Sequence, residues 1–480
     1  MLKFAKYHKN ECAALIVWIL LWFGLGTQMN GTFAISNYYL PNFNFLRANL
    51  IFYIFVFLLS YFLYYREKTE YLILALYAIT GFFGFILNSN ESIYFGLHNS
   101  TSLLAIALFI NLISAKNINK KIIFYFLNYS SIFILIGFFI LFIAPDLLKK
   151  VLSFSLGARG ETVIDIIFTK NLTIHIPQNS NGASRIIFLL AILLSCFYNF
   201  LLKNKFNLIN IFLLIGALIL ASINIFYQSK LNMLAFIISC FYIFLRNNNY
   251  KNKLKILSLV LLVILPFIIN FTYQKHFSKN YDFFQSNRLF NNNEGFFSFK
   301  NYPYIYDKSV IYDKSVNSKE LSYINIDALC FSHNTAMDRF FGGRICGWEI
   351  LTKQYYNNFE LFGYGFFEDR KILKKFEKIS SNSYLFALFN SGILSFLILI
   401  IFYSNIFVKI IKSILISKKV KNNFPATTEF YTILTIYLII RSFFEDTLAF
   451  VSIDFLLIVT CISFLNYFFD ISNNLSKRIL

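Results

Sequence analysis

Residues Gly342–Phe402 read GGRICGWEILTKQYYNNFELFGYGFFEDRKILKKFEKISSNSYLFALFNSGILSFLILIIF. The last third of this stretch is an apolar run of the kind that crosses a hydrocarbon core of about 30 Å, for which about 20 apolar residues suffice. The first two thirds are charged, aromatic and punctuated by glycine, so a polar loop here turns and dives into lipid. Arg344 follows two glycines that let backbone and ligand approach closely. Such an arginine at a membrane face is placed to grip an anionic, lipid-linked ligand.

The rest of the chain repeats the apolar signal. With 57% of residues hydrophobic, apolar stretches of about 20 residues recur from end to end, which indicates an all-α polytopic membrane protein of about twelve transmembrane helices. The expected spans are Cys12–Met29, Leu46–Tyr65, Glu70–Leu87, Ser92–Ser114 and Ile122–Ala144 in an N-terminal region, 1–144. A first outer loop, 145–183, leads to Ser184–Leu202, Leu208–Tyr227, Leu231–Leu245 and Ile256–Thr272. A large loop, 273–380, is followed by Ser383–Ile411, Glu429–Phe444 and Leu448–Phe469 in a C-terminal region, 381–480. The basic start ahead of the first span lacks a small-x-small cleavage signal and reads as a retained anchor.

A net charge of +20 raises the question of nucleic acid, and the positions of the charges answer it. Arg66 with Lys68, Lys116 with Lys120 and Lys121, Lys203 with Lys205, Arg246 with Lys251 to Lys255, and Lys409 to Lys421 all fall in loops on one side. This is the positive-inside asymmetry, with both termini cytoplasmic and both long loops outside, so nucleic acid is not an expected partner. Four cysteines lie in expected spans, where they serve as small apolar residues; Cys330 and Cys346 share the large outer loop and are free to pair or to stay as thiols.

No HExxH, CxxC, P-loop, dinucleotide fingerprint or nucleophile elbow occurs. Neither a metal nor a cofactor is therefore expected, and chemistry must come from outer-face cations, hydroxyls and carboxylates. Arg159, Arg185, Arg288, Arg339, Arg344, Arg370 and Arg441 all fall on or beside the outer face, against the positive-inside trend. Guanidinium forks bind phosphate oxygens bidentately, so an outer-face phosphate would account for them. The alternative is ion pairing with Asp338, Glu349, Glu368 or Asp369. Lys230, in a tight outer turn, completes the cationic set or snorkels. His333, Glu445 and Asp446 are the candidate general bases, against ordinary loop or ion-pair roles; Asp454, deeper in the last span, calls for a buried partner. The loop's tyrosines suit sugar faces or a membrane interface, and Trp348 is expected as an anchor under the Gly363-Tyr364-Gly365 turn.

The order of SNGASRIIFLLAIL, a short QSK turn, GRICGWEIL…LFGYGFF and SNSYLFALFNSGILSF resembles the O-antigen polymerase and O-antigen ligase superfamily. The resemblance covers the chain from Asn179 to the last span. It implies a metal-independent glycosyltransferase of the bacterial inner membrane that acts at the periplasmic face on an undecaprenyl-diphosphate-linked oligosaccharide. By motif position, Arg185, Lys230 and Arg344 would hold the diphosphate, with Arg339 and Arg441 nearby, while Asn382 and Tyr384 would shape the start of the following helix. Ser381 stands where the ligases carry a histidine, and the Arg-to-Gly spacing common in polymerase loops is absent. The expected activity is polymerisation of a surface polysaccharide. Ligation to lipid A core, flipping of a lipid-linked sugar and a non-catalytic scaffold are the alternatives. A partner that regulates chain length is left open.

Overall fold

The computed structural model describes residues 9–25, 53–59, 70–87, 93–143, 180–202, 208–226, 230–245, 253–277, 330–332, 335, 337–338, 344–365, 368–374, 376, 381–419, 426–445, 449 and 452–479. Within them the chain forms thirteen bounded helices and no strand. They are α1 (Lys9–Leu25), α2 (Glu70–Leu87), α3 (Ile93–Ser114), α4 (Lys120–Ile143), α5 (Ser180–Leu202), α6 (Leu208–Phe226) and α7 (Lys230–Leu245). Then follow α8 (Lys253–Phe277), α9 (Arg344–Asn357), α10 (Glu368–Lys374), α11 (Ser383–Lys419), α12 (Ala426–Ser442) and α13 (Ile453–Ile479).

Four of these helices are long and apolar enough to cross a membrane, over Lys120–Gly137, Ser184–Leu201, Ser383–Ile416 and Asp454–Ile471. Shorter apolar segments lie in α2, α3, α6, α7 and α8. Large aliphatic and aromatic side chains face outward along these helices, among them Phe133, Ile209, Phe212, Ile238 and Ile401. Water would make that surface a liability, whereas hydrocarbon makes it the expected one. The architecture is that of a helical membrane protein. Observed bounds differ from the expected ones at helix ends: α1 starts before Cys12, α5 begins within the expected first loop, and α11 runs on to Lys419.

One continuous core joins α1, α3, α5, α11, α12 and α13, with Trp18, Phe109, Phe188, Phe402, Tyr431 and Phe455 fully enclosed. Several polar side chains inside it pair with one another, which spares them the cost of burial in hydrocarbon. The Trp18 indole donates to Ser130 Oγ at 2.7 Å, and the Tyr431 hydroxyl donates to Asn128 Oδ1 at 2.8 Å.

α13 sets the polarity of the bundle. Near its start Asp454 joins two arginines, and near its end Asp470 lies 3.9 Å from Lys120 at the start of α4. At about 1.5 Å of rise per residue those carboxylates are separated by roughly 24 Å along the axis. The α3–α4 turn therefore occupies one end, where Glu11 accepts the Asn119 amide at 2.8 Å and Asn119 Oδ1 caps α4 through the Lys121 amide. The first residues of α5, α7 and α13 and the last of α6 and α12 meet at the other end.

A second, smaller cluster covers that end. Cys330, Cys346, Ile350, Leu351, Tyr355 and Leu373 pack on Leu388 and Phe389 of α11, forming a cap. Cys330 and Cys346 are joined in a disulfide. The cap docks where α11 is not a single helix: Gly392 has φ 80° and ψ −172°, a break inside an otherwise continuous run. A Cβ on Gly392 would stand 1.9 Å from the Leu361 carbonyl oxygen, and one on Gly363 would stand 2.6 Å from the Gly392 nitrogen. Only glycine at both places lets the two backbones touch.

The break orphans backbone groups, and the cap supplies partners for two of them. The Phe389 carbonyl accepts the Tyr364 amide at 2.6 Å. The Ile393 backbone bonds to the Tyr355 hydroxyl, which itself donates to the Glu360 carbonyl at 2.9 Å. Burial, with Tyr364 and Glu360 nearby, raises the Tyr355 hydroxyl above its ordinary range despite the Ile393 contact, and burial likewise raises Tyr364. The rings of Tyr364 and Phe389 stack at 5.3 Å, and Tyr355 meets Phe389 edge-on at 5.8 Å. Trp348, expected beneath this turn, instead has its ring 6.3 Å from Phe444 on the turn that follows α12.

Candidate functional site

The end of the bundle under the cap collects arginines from three separate elements. Arg185 lies in the first turns of α5, Arg441 in the last turn of α12 and Arg344 at the start of α9. Asp454 is the hinge of the arrangement: its Oδ1 is 2.6 Å from Arg185 Nη1 and its Oδ2 is 3.1 Å from Arg441 Nε. All three side chains are buried. Arg344 Nη2 lies 3.5 Å from Glu445 Oε1, with the two side chains 19% and 17% exposed, so this pair borders solvent where the other is enclosed. Glu445 is held beside Arg441 by its amide, which donates to the Arg441 carbonyl at 2.9 Å.

Among the described residues three guanidiniums thus pair with two carboxylates, Asp454 serving two of them. Arg185 Nε is buried and has no hydrogen-bond partner among the described residues. A buried cationic donor left open in this way favours an anionic acceptor that can reach it.

From Arg441 a directed chain of hydrogen bonds runs across the bundle. Arg441 Nη1 donates to the Tyr437 hydroxyl at 3.3 Å, Tyr437 donates to Asn232 Oδ1 at 2.6 Å, and Asn232 donates to Ser184 Oγ at 3.0 Å. Ser184 closes the chain on Asn224. Every link is donor to acceptor in one sense, so the network is polarised away from the cation and fixes the Arg441 side chain. Asn232 lies two residues after Lys230, which starts α7. The backbone of Lys230 is therefore at this end of the bundle, while its side chain lies outside the described atoms.

Asn382 and Tyr384 act on the turn that carries Glu445. Asn382 Oδ1 caps α11 by accepting the Tyr384 and Leu385 amides at 2.9 and 3.0 Å, and its Nδ2 donates to the Phe443 carbonyl at 3.0 Å. Ser383 Oγ donates to the Glu445 carbonyl at 2.6 Å, and the Tyr384 hydroxyl is 3.0 Å from Ser442 Oγ. Their polar atoms thus set the position of Glu445. Two carboxylates expected as arginine partners accept backbone amides, and among the described residues neither has an ion pair: Asp338 accepts from Cys346 at 2.9 Å and Glu349 from Ser332 at 3.2 Å.

Of the residues expected to form the site, Arg185 and Arg441 are joined through Asp454 and Arg344 pairs with Glu445, with Asn382 and Tyr384 buttressing the turn that carries Glu445. His333, Arg339 and Asp446 lie outside the described residues. Asp454, Tyr437, Asn232, Ser184 and Asn224 are the members that sequence reasoning left without a site role. For Tyr437, Asn232 and Ser184 the signal was a polar residue within about one helical turn of an expected cation, as Tyr437 is of Arg441, whereas Asp454 and Asn224 carry no such mark. Among the described residues no group of three metal-ligating side chains occurs. What the arrangement can do is hold an oxyanion and stabilise charge that develops on it. No protein-family model, curated protein or solved structure gives a significant match to this chain.

Proposed function

We propose that the chain is a glycan polymerase of the bacterial inner membrane, with about twelve spans and both termini cytoplasmic. It would transfer a growing glycan from undecaprenyl diphosphate to the non-reducing end of another lipid-linked repeat unit at the periplasmic face. The observation that carries the reading is the meeting of buried Arg185 and Arg441 at one end of the bundle, with an Arg185 Nε that has no hydrogen-bond partner among the described residues. The ordered motifs shared with the O-antigen polymerase and ligase superfamily supply the choice of reaction.

In this reaction the bond from the donor's anomeric carbon to the diphosphate oxygen breaks, and the acceptor hydroxyl oxygen bonds to that carbon. The electron pair leaves with the diphosphate, whose growing charge Arg185, Arg344 and Arg441 would stabilise, with Lys230 alongside. The hydroxyl proton passes to a carboxylate. Glu445 suits that role because a phosphate on Arg344 would compete for the guanidinium that now holds it. Asn382, Ser383 and Tyr384 are positioning residues for that carboxylate.

Deleting the gene and resolving the surface glycan by size tests the reading. A single repeat unit on the acceptor is the expected result, bare core would transfer the assignment to a ligase or flippase, and an unchanged ladder would refute it. Arg344→Lys keeps the charge and removes the fork, so glycan extension should fall by roughly 10²-fold if the guanidinium meets the leaving group. Long chains at the normal rate from that variant would remove Arg344 from the chemistry.

A further inference from the structure

The outward-facing side chains of α11 mark where the hydrocarbon begins. Before Gly392 the helix is enclosed, from Asn382 to Ser391, apart from the partly covered Leu385. After it a stripe of exposed residues appears, including Leu394, Leu397, Ile401, Val408, Ile411 and Leu415. From Leu394 to Leu415 the axial rise is about 32 Å at 1.5 Å per residue, close to a hydrocarbon core of about 30 Å, with Lys409 and Lys412 at its far end long enough to extend toward the headgroups. Gly392 therefore sits at the boundary between acyl chains and headgroups.

The cap touches the helix at this height. The Leu361 carbonyl and the Gly363 amide lie against Gly392, where no side chain could intervene. The turn leading to that contact, Tyr356 to Leu361, bears an apolar surface that no described residue covers: Tyr356 is 86% exposed, Phe359 60% and Leu361 45%. Asn357, Asn358 and Glu360 alternate with them and are exposed as well. Aromatic rings interleaved with polar groups make the composition of a membrane interface, unlike that of the acyl region. The patch adjoins the outward-facing stripe of α11, because the Leu361 carbonyl lies against Gly392 and Leu394, two residues on, is the first of that stripe.

We propose that the Tyr356–Leu361 turn is an interfacial anchor that inserts Tyr356, Phe359 and Leu361 into the lipid headgroup–acyl boundary on the arginine side of the protein. Lipid is the occupant because the patch adjoins a lipid-facing surface at the depth where that surface starts. The anchor fixes the height of α9, which carries Arg344, relative to the headgroups. This inference stands independently of what the arginine cluster binds.

Site-directed spin labelling in liposomes tests it. Cys196, Cys240 and Cys461 are buried and Cys330 is paired with Cys346, so a Cys12→Ala background leaves an introduced cysteine as the reactive one among them. Nitroxides at Phe359→Cys and Leu361→Cys, with Tyr356→Cys as a variant that disturbs no buried contact, are read by collision with oxygen and with a polar nickel chelate. Leu394→Cys serves as the lipid reference and Asn117→Cys, in the exposed α3–α4 turn, as the aqueous one. The expected result is an oxygen-to-nickel collision ratio that moves from the aqueous value toward the lipid value at all three positions. A ratio equal to that of Asn117→Cys would overturn the proposal in favour of solvent. An immobilised label shielded from both reagents would overturn it in favour of a protein surface, whether another segment of this chain or a second copy.

Discussion

Asp454 carries more of the site than any other side chain, since one carboxylate serves both Arg185 and Arg441 with all three groups buried. Removing one partner of a buried ionic set leaves unpaired charge in a medium that solvates it poorly, at a cost of about 3–5 kcal/mol. Asp454→Asn is therefore expected to lower unfolding stability in mixed micelles by that amount. Glu445→Gln, whose partner borders solvent, should lower it far less. Equal losses for the two variants would mean that the Asp454 set is not the buried one. The sequence announced an intramembrane carboxylate in need of a partner, but it did not say which. Arg185 is 269 positions away, and only the packing of α5 beside α12 and α13 brings it there. The arginines were legible for a simpler reason: each falls on the side where the topology read from the sequence disfavours cations.

At the scale of elements, the break in α11 is where loop and membrane helix become one structure. Gly392→Ala would put a Cβ within 1.9 Å of the Leu361 carbonyl at a backbone φ of 80°. Strain of that kind costs about 1–3 kcal/mol before the cap is displaced. The variant should expel the Gly-Tyr-Gly turn and expose the Phe389 carbonyl, seen as faster amide exchange at Tyr364 and Ile393 with α13 unaffected. Protected amides at both positions would show that the turn does not depend on this contact. The disulfide acts on the same unit from its other side. Closing a loop over 16 positions contributes about 3 kcal/mol in the chain-entropy account. Because the cap has its own small core, a Cys330→Ser, Cys346→Ser double variant should lose this locally, as trypsin cleavage at Lys353 at doses the native protein resists. An unchanged digestion pattern would show that packing alone holds α9 in place. Apolar windows were enough to place α11 in a span. The break was not foreseen, although Asn390-Ser391-Gly392 interrupts the apolar run, because such a triplet is compatible with a continuous buried helix until a partner for the freed backbone is known. That partner lies in a loop whose fold has no periodic signature.

For the molecule as a whole, the two ends of the bundle differ in charge type as well as in structure. The end holding the α3–α4 turn presents Lys116, Lys120 and Lys121, with Glu11 and Asp470 among them. The opposite end presents arginines locked to carboxylates beneath a disulfide-bonded cap. Lysines are what the positive-inside tendency retains in the cytoplasm, and a disulfide persists in an oxidising compartment. Both features agree with the proposed orientation, though one arises from insertion and the other from redox environment. Sidedness of labelling in spheroplasts measures the orientation directly. Met337→Cys, exposed on the cap, should react with a membrane-impermeant maleimide in intact spheroplasts, whereas Asn117→Cys should react only after permeabilisation. Reversed accessibility would put the arginine cluster on the cytoplasmic side, where undecaprenyl-linked glycans are assembled before export, and would remove the basis for polymerisation at the outer face. Reaction of both sites from one side would contradict the roughly 24 Å that α13 places between the two ends.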